Sequence, residues 1–159
     1  MGIKIIGVGR IKEKYLQEGM AEYLKRLQAY ARVEIIEIPD EKISQGLSPS
    51  EEEIIKKKEG ERILKKIDPE AYTVALALEG TLFSSEGLAR RLEKLTREGQ
   101  RKINFIIGGT LGLPDSIKKE ADLVLSFSPL TFPHQLMRLI LLEQIYRAFK
   151  IIRGEPYHR

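Results

Sequence analysis

Short runs of apolar residues alternate along this chain with longer stretches that are apolar only every third or fourth position. Residues 3–9 (IKIIGVG) form a β-branched run closed by glycine, the pattern of a buried strand. Over 12–31, Tyr15, Leu16, Met20, Tyr23, Leu24 and Leu27 mark one face of a helix whose wet side carries Lys12, Lys14, Lys25 and Arg26. Val33–Ile38 reads as a second strand stopped by Pro39, and 40–49 has the composition of a mobile loop. Ser50 with Glu53 predicts a capping box opening a helix that runs to about Ile67. A third strand, Tyr72–Leu78, is followed by a turn at Glu79-Gly80 and by a helix capped by Ser84 or Ser85 that ends near Gly99. Ile103–Ile107 and Leu123–Phe127 complete five strands, with a short helix over 114–120 between them.

The last helix has the sharpest signals. Pro133 suits its first turn, Gly154 the position just past its end, and Pro156 blocks continuation. Twelve of the seventeen residues from Leu136 to Ile152 are apolar, leaving a thin polar stripe. A helix apolar nearly all round has to be covered on several sides, which predicts a second copy of the chain against it, hence a homodimer. The alternative is burial within one subunit. Strands alternating with crossover helices give a three-layer α/β domain with a parallel sheet, one domain over 1–159.

Composition narrows the chemistry. With no cysteine, there are no disulfides, thiolate metal sites or cysteine nucleophiles. His134 and His158 lack ligand spacing, so a metal is not expected. Residues 1–9 read as a strand rather than a targeting segment, and Leu136–Ile152 is too short and too interrupted by charge to span a membrane. A cytoplasmic protein is the expectation. The net charge of +4 leans mildly toward an anionic partner.

Two loops hold the candidate chemistry. Gly108, Gly109 and Gly112 fall within five residues after a strand, where backbone could approach a ligand or simply turn tightly. The spacing matches neither the dinucleotide fingerprint nor a P-loop. In 126–133, Pro129 and Pro133 stiffen a loop whose Phe127, Leu130 and Phe132 could wall an apolar slot beside the hydroxyls of Ser128 and Thr131. Core packing is the competing reading for Phe127. His134 opens a helix, where the dipole disfavours imidazolium; it suits a base, a hydrogen-bonding group or a cap. Tyr157, His158 and Arg159 are types that stack on bases and hold phosphates. A frayed end is the plain alternative.

The segments FIIGGTLGL (105–113), LSFSPLTFPHQ (125–135), EQIYRAFK (143–150) and GEPYHR (154–159) resemble the bacterial ribosomal RNA large subunit methyltransferase H family over the whole chain. The resemblance implies a SPOUT-superfamily enzyme moving a methyl group from S-adenosyl-L-methionine to N3 of a pseudouridine in 23S rRNA. It also implies a homodimer and a C-terminal trefoil knot, which pattern reasoning would not propose, knots being almost absent among folds. By matching position it assigns cofactor contacts to Leu76, Gly108, Phe127, Ser128, Pro129, Leu130, Thr131 and Phe132. Thr110 stands where relatives are expected to carry serine or asparagine. His134, Arg138, Tyr157, His158 and Arg159 become candidates for assisting N3 deprotonation or clamping substrate, Arg138 and the tail residues being favoured as clamps. Whether the tail serves its own or a partner's site, and whether free RNA, the large subunit or the assembled ribosome is the substrate, stay open. The rival readings are a non-catalytic RNA-binding ribosome-assembly module and a flavodoxin-like nucleotide binder.

Overall fold

A computed structural model describes residues 1–159. The elements run β1 (Gly2–Val8), α1 (Lys14–Leu27), β2 (Arg32–Ile38), α2 (Pro49–Leu64), β3 (Tyr72–Leu82), α3 (Ser85–Arg97), β4 (Lys102–Ile107), α4 (Asp115–Glu120), β5 (Leu123–Ser126) and α5 (His134–Ile152). All strands are parallel, in the order β2-β1-β4-β3-β5.

Period-two alternation divides the core into two layers. Ile3 and Ile5 of β1, Val74 of β3 and Phe105 of β4 lie under α1, α3 and α5, whereas Ile6, Val8, Ala75 and Ile106 meet Ile63 of α2 and Ile117 of α4 on the other face. Strands buried on both sides need continuous apolar runs, which is why β1 and β4 stand out in the sequence. The five strands and five helices fall where the periodicity puts them, and the three-layer α/β architecture holds.

Two local expectations give way. The capping box is formed by Ser48 and Glu51: Ser48 Oγ accepts from Glu51 N at 3.2 Å and Glu51 Oε1 accepts from Ser48 N at 3.1 Å. Pro49 decides this, since its fixed φ and missing N–H suit the first helical position and put the cap on Ser48, two residues before the expected Ser50. The expected turn at Glu79-Gly80 is instead a continuation of β3 to Leu82, with a break in register, so that Leu76 and Thr81 both face Leu125. At Gly80 an added Cβ would lie 2.7 Å from Val124 O and 2.8 Å from Leu125 C, so only glycine lets the two backbones pass this closely.

The cover of α5 is divided. Every residue from His134 to Ile152 is buried or half-buried within one chain, because α1 and α3 flank the helix while the sheet lies beneath it. Within one chain Leu141, Leu142, Ile145, Tyr146 and Ala148 are buried, while the other seven apolar residues from Leu136 to Ile152 are only half-buried and leave apolar surface that a second subunit would cover. The start of the 40–49 segment is tied down: Arg62 donates to Pro39 O at 2.8 Å and pairs with Glu41 at 2.5 Å, while Glu41 N donates to Glu59 at 3.0 Å.

Candidate cofactor pocket and C-terminal tail

The carboxyl ends of β3, β4 and β5 open together onto a cavity of about 690 Å³. Such a crevice is where parallel α/β sheets bind small molecules, and the volume is in the usual range for them. Of the residues assigned to the cofactor, Leu76, Gly108, Phe127, Ser128, Leu130, Thr131 and Phe132 line this cavity. Pro129 does not; it is exposed at the crest of its loop and acts on the wall only by stiffening it.

The glycine turn has a folding reason of its own. Gly112 adopts φ +85°, its N–H donates to Gly109 O at 3.0 Å, and a Cβ on Gly108 would meet Gly112 C at 2.7 Å. The tight-turn and ligand-approach readings are thus compatible: side chains are absent because the turn closes on itself, and the bare backbone faces the cavity. The second loop is likewise self-braced. Ser128 Oγ accepts from Leu130 N at 3.0 Å, and Ser126 Oγ donates to Ser128 O at 3.2 Å. Opposite these loops, Lys118 of α4 pairs with Glu79 and holds that carboxyl below its ordinary range. Sequence pattern carries no hint of this pair, since its partners are 39 residues apart.

His134 and Met137, on the first turn of α5, close the cavity on the β1 side. Burial first, and then the nearby Arg138 guanidinium, lower the His134 pKa, so the imidazole is neutral at neutral pH. The direction matches the helix-dipole argument; the causes are burial and a like charge.

Arg138 is placed differently from a substrate clamp. It is fully buried, with Nη2 donating to Val8 O at 2.8 Å and Gly9 O at 2.5 Å, and Nη1 donating to Glu37 at 3.0 Å. Gly7 makes room for it: a Cβ there would lie 2.6 Å from the guanidinium carbon. Glu37 also accepts from Ile11 N at 2.8 Å, so the Arg138–Glu37 pair fixes the whole exit of β1. No sequence pattern distinguishes such an arginine from an exposed one in the polar stripe of α5.

The tail lies elsewhere. Tyr157 stacks edge-on against Tyr146 with centroids 4.9 Å apart and donates to Glu143 at 3.0 Å. His158 bridges Arg147 at 3.1 Å and Glu86 at 2.7 Å, while Arg159 is exposed. Burial above all, then hydrogen bonds with Tyr23 and Glu143, raises the Tyr157 pKa, so it is a phenol that donates and not a base. Thirteen residues of helix separate His134 from Arg147, roughly 20 Å at 1.5 Å per residue. The tail and the pocket of one chain are therefore apart.

Comparison with known proteins agrees with this layout. The family described as "Predicted SPOUT methyltransferase" matches residues 1–158. Proteins named ribosomal RNA large subunit methyltransferase H from Bacillus pumilus and Carboxydothermus hydrogenoformans are each 58% identical to this chain over 159 residues, all of both proteins, and one from Shouchella clausii is 54% identical over the same span. Among solved structures, a putative methylase family protein from Neisseria gonorrhoeae superposes with a TM-score of 0.54 at 14% identity, covering 91% of this chain and 81% of that one. A probable methylase family protein from Haemophilus influenzae gives 0.54 at 11%, covering 99% and 70%, so both attest the fold alone. On the full-length family match and these close relatives, the chain belongs to the SPOUT methyltransferases, in the ribosomal RNA large subunit methyltransferase H family.

Proposed function

We propose that this protein methylates N3 of a pseudouridine in 23S rRNA of the large ribosomal subunit, with S-adenosyl-L-methionine as donor. The observation that carries the reading is the joint cavity after β3, β4 and β5, walled by the segments that the family resemblance assigns to the donor. The group fits: apolar Leu76, Phe127, Phe132 and Met137 suit an adenosine, the side-chain-free turn at Gly108 lets backbone reach it, and the one carboxylate on the wall, Glu79, is paired with Lys118. When bound, the donor supplies an electrophilic methyl group and leaves as a neutral thioether.

The protein's share is positioning and charge. Donor and acceptor must be held in line, and the nitrogen must lose its proton as the methyl arrives. Neutral His134 on the pocket wall is suited to accept a hydrogen bond or the proton itself. Cationic and hydrogen-bonding groups that steady the imide anion are needed as well, and Tyr157, His158 and Arg159 are the right types. Their distance from the pocket of their own chain supports a homodimer in which each tail completes the partner's site. Arg138 leaves the list of clamps and joins the positioning residues. The deep C-terminal knot belongs to the same reading. We place the enzyme in the cytoplasm, with its substrate, as a single domain.

The test is methyl transfer from labelled donor to naked 23S rRNA, isolated large subunits and whole ribosomes, followed by nucleoside mass spectrometry. N3-methylpseudouridine in at least one of these supports the proposal, and whole ribosomes are the expected best substrate. No transfer to any of the three would overturn it.

A further inference from the structure

The segment between β1 and α1 is anchored far beyond the needs of an ordinary surface loop. Its carbonyls at Val8 and Gly9 are held by Arg138, its Ile11 N by Glu37, its Ile11 O by Gln17 at 2.9 Å, and its Arg10 O by Gln135 at 3.5 Å. Gly9 N donates to Ile38 O at 2.7 Å, and Gly9 itself takes φ +93°. The anchor includes a wholly buried guanidinium whose Nε has no partner, an arrangement that is expensive unless the geometry it enforces is needed.

This rigid segment carries Arg10, Lys12 and Lys14, all exposed, followed by Tyr15, a large aromatic left 66% exposed. Arg10 and Lys12 have no carboxylate partner, and Lys14 meets only Glu18 across 3.9 Å, both side chains being well exposed. Glu13, Glu18 and Asp40 are the acidic neighbours, Asp40 Oδ2 lying 3.9 Å from a Cβ placed on Gly9, so the three cations are balanced by three carboxylates. Location matters more. A Cβ on Gly9 would lie 3.6 Å from His134 Nε2, and His134 lines the donor cavity. Gly19 of α1 sits against Leu139 of α5, and Gln135 donates to Arg10 O at 3.5 Å, so the start of α1 runs beside the residue that follows His134. Exposed cations interleaved with an aromatic form the surface that tracks a nucleic-acid backbone and stacks an unpaired base.

We infer that Arg10, Lys12, Lys14 and Tyr15 form a docking surface for the RNA strand flanking the target base, held in place by the Arg138–Glu37 pair. The cations bind phosphates and Tyr15 stacks on a neighbouring unpaired base. Delivery of RNA at this edge brings the target past His134 into the cavity. The inference rests on the proposed methylation of ribosomal RNA and adds the surface that receives it.

The test measures KM for whole ribosomes and for deproteinised 23S rRNA, donor affinity and oligomeric state for wild type, Tyr15→Ala, Tyr15→Trp and the triple variant R10A/K12A/K14A. Tyr15→Ala should raise the RNA KM at least about fivefold, and Tyr15→Trp should restore it. The triple variant should weaken RNA binding and flatten its salt dependence, by about 0.7 in log–log slope for each single-strand phosphate that it no longer neutralises. Donor affinity and subunit association should not change in any of them. Unchanged RNA KM in active variants overturns the docking surface, as does a Tyr15→Ala protein that falls to monomers. Failure of the wild type to methylate either substrate would instead overturn the functional reading.

Discussion

Replacing Arg138 by methionine keeps the bulk of the side chain and removes its charge and donors. Three hydrogen bonds from a charged donor disappear, to Glu37, Val8 O and Gly9 O, each worth about 1.5–3 kcal/mol. Against this, the variant no longer holds a guanidinium out of water, a relief of several kcal/mol. Glu37 is 39% exposed and keeps the Ile11 N–H, so water can solvate it and the full penalty of an orphaned buried carboxylate does not arise. The two backbone carbonyls have no such recourse. The balance is a destabilisation of about 2–4 kcal/mol, which for a chain of this size lowers Tm by about 5–15 °C. Arg138→Lys should recover less than half of that, because a single ammonium cannot span three acceptors set around a planar fork. Calorimetric melts of the three proteins provide the assay. With the β1 exit loosened, the RNA KM of the methionine variant should rise at a temperature where it is folded, while donor affinity changes little. A Tm within about 2 °C of wild type would show that the guanidinium does not anchor this segment, and the positioning argument would fail.

Other perturbations test separate joints of the structure. Gly80→Ala should be disproportionately damaging for an exposed-edge alanine substitution, by about 3 kcal/mol or more in urea unfolding, because its Cβ would meet the backbone of Val124 and Leu125; an effect near zero would mean that the strands do not pass so closely. Gly108→Val should abolish donor binding by opening the turn against Gly112, and retained calorimetric binding would contradict that. His134 has a folded-state pKa below its ordinary 6.5, so the stability from its neutral form is complete above about that pH and is lost as pH falls toward the folded value. Wild type should therefore gain more stability than His134→Gln between pH 5 and pH 8, and parallel profiles would count against it. Deleting 155–159 should stop methylation yet spare donor binding, and mixing this truncation with Gly108→Val subunits should restore part of the activity; no rescue would mean that the tail does not act across a dimer.

What the sequence reveals here follows the range of the interactions involved. Strands β1 and β4 are legible because burial on both faces demands unbroken apolar runs, and α5 is legible through Pro133 and Gly154. The cavity walls are legible because glycine and proline leave local marks where backbone must turn or stiffen. The passage of β3 against β5 is not, because Gly80 owes its identity to residues more than forty positions away. Arg138 is hidden for the same reason: its partners Val8, Gly9 and Glu37 are 101 to 130 positions distant, and only the fold brings them around it. The cover of α5 is ambiguous in sequence because amphipathicity counts how much surface needs burying and cannot say whether α1 and α3 or another subunit supplies it.

The place where the methyl donor binds is the most direct point of decision. A crystal structure with S-adenosylmethionine should show it between Leu76, the turn at Gly108 and the 127–132 loop, its methyl group directed toward the His134 side of the cavity. Donor density at any other place on the chain, or those three segments drawn apart around an empty space, would contradict the assignment.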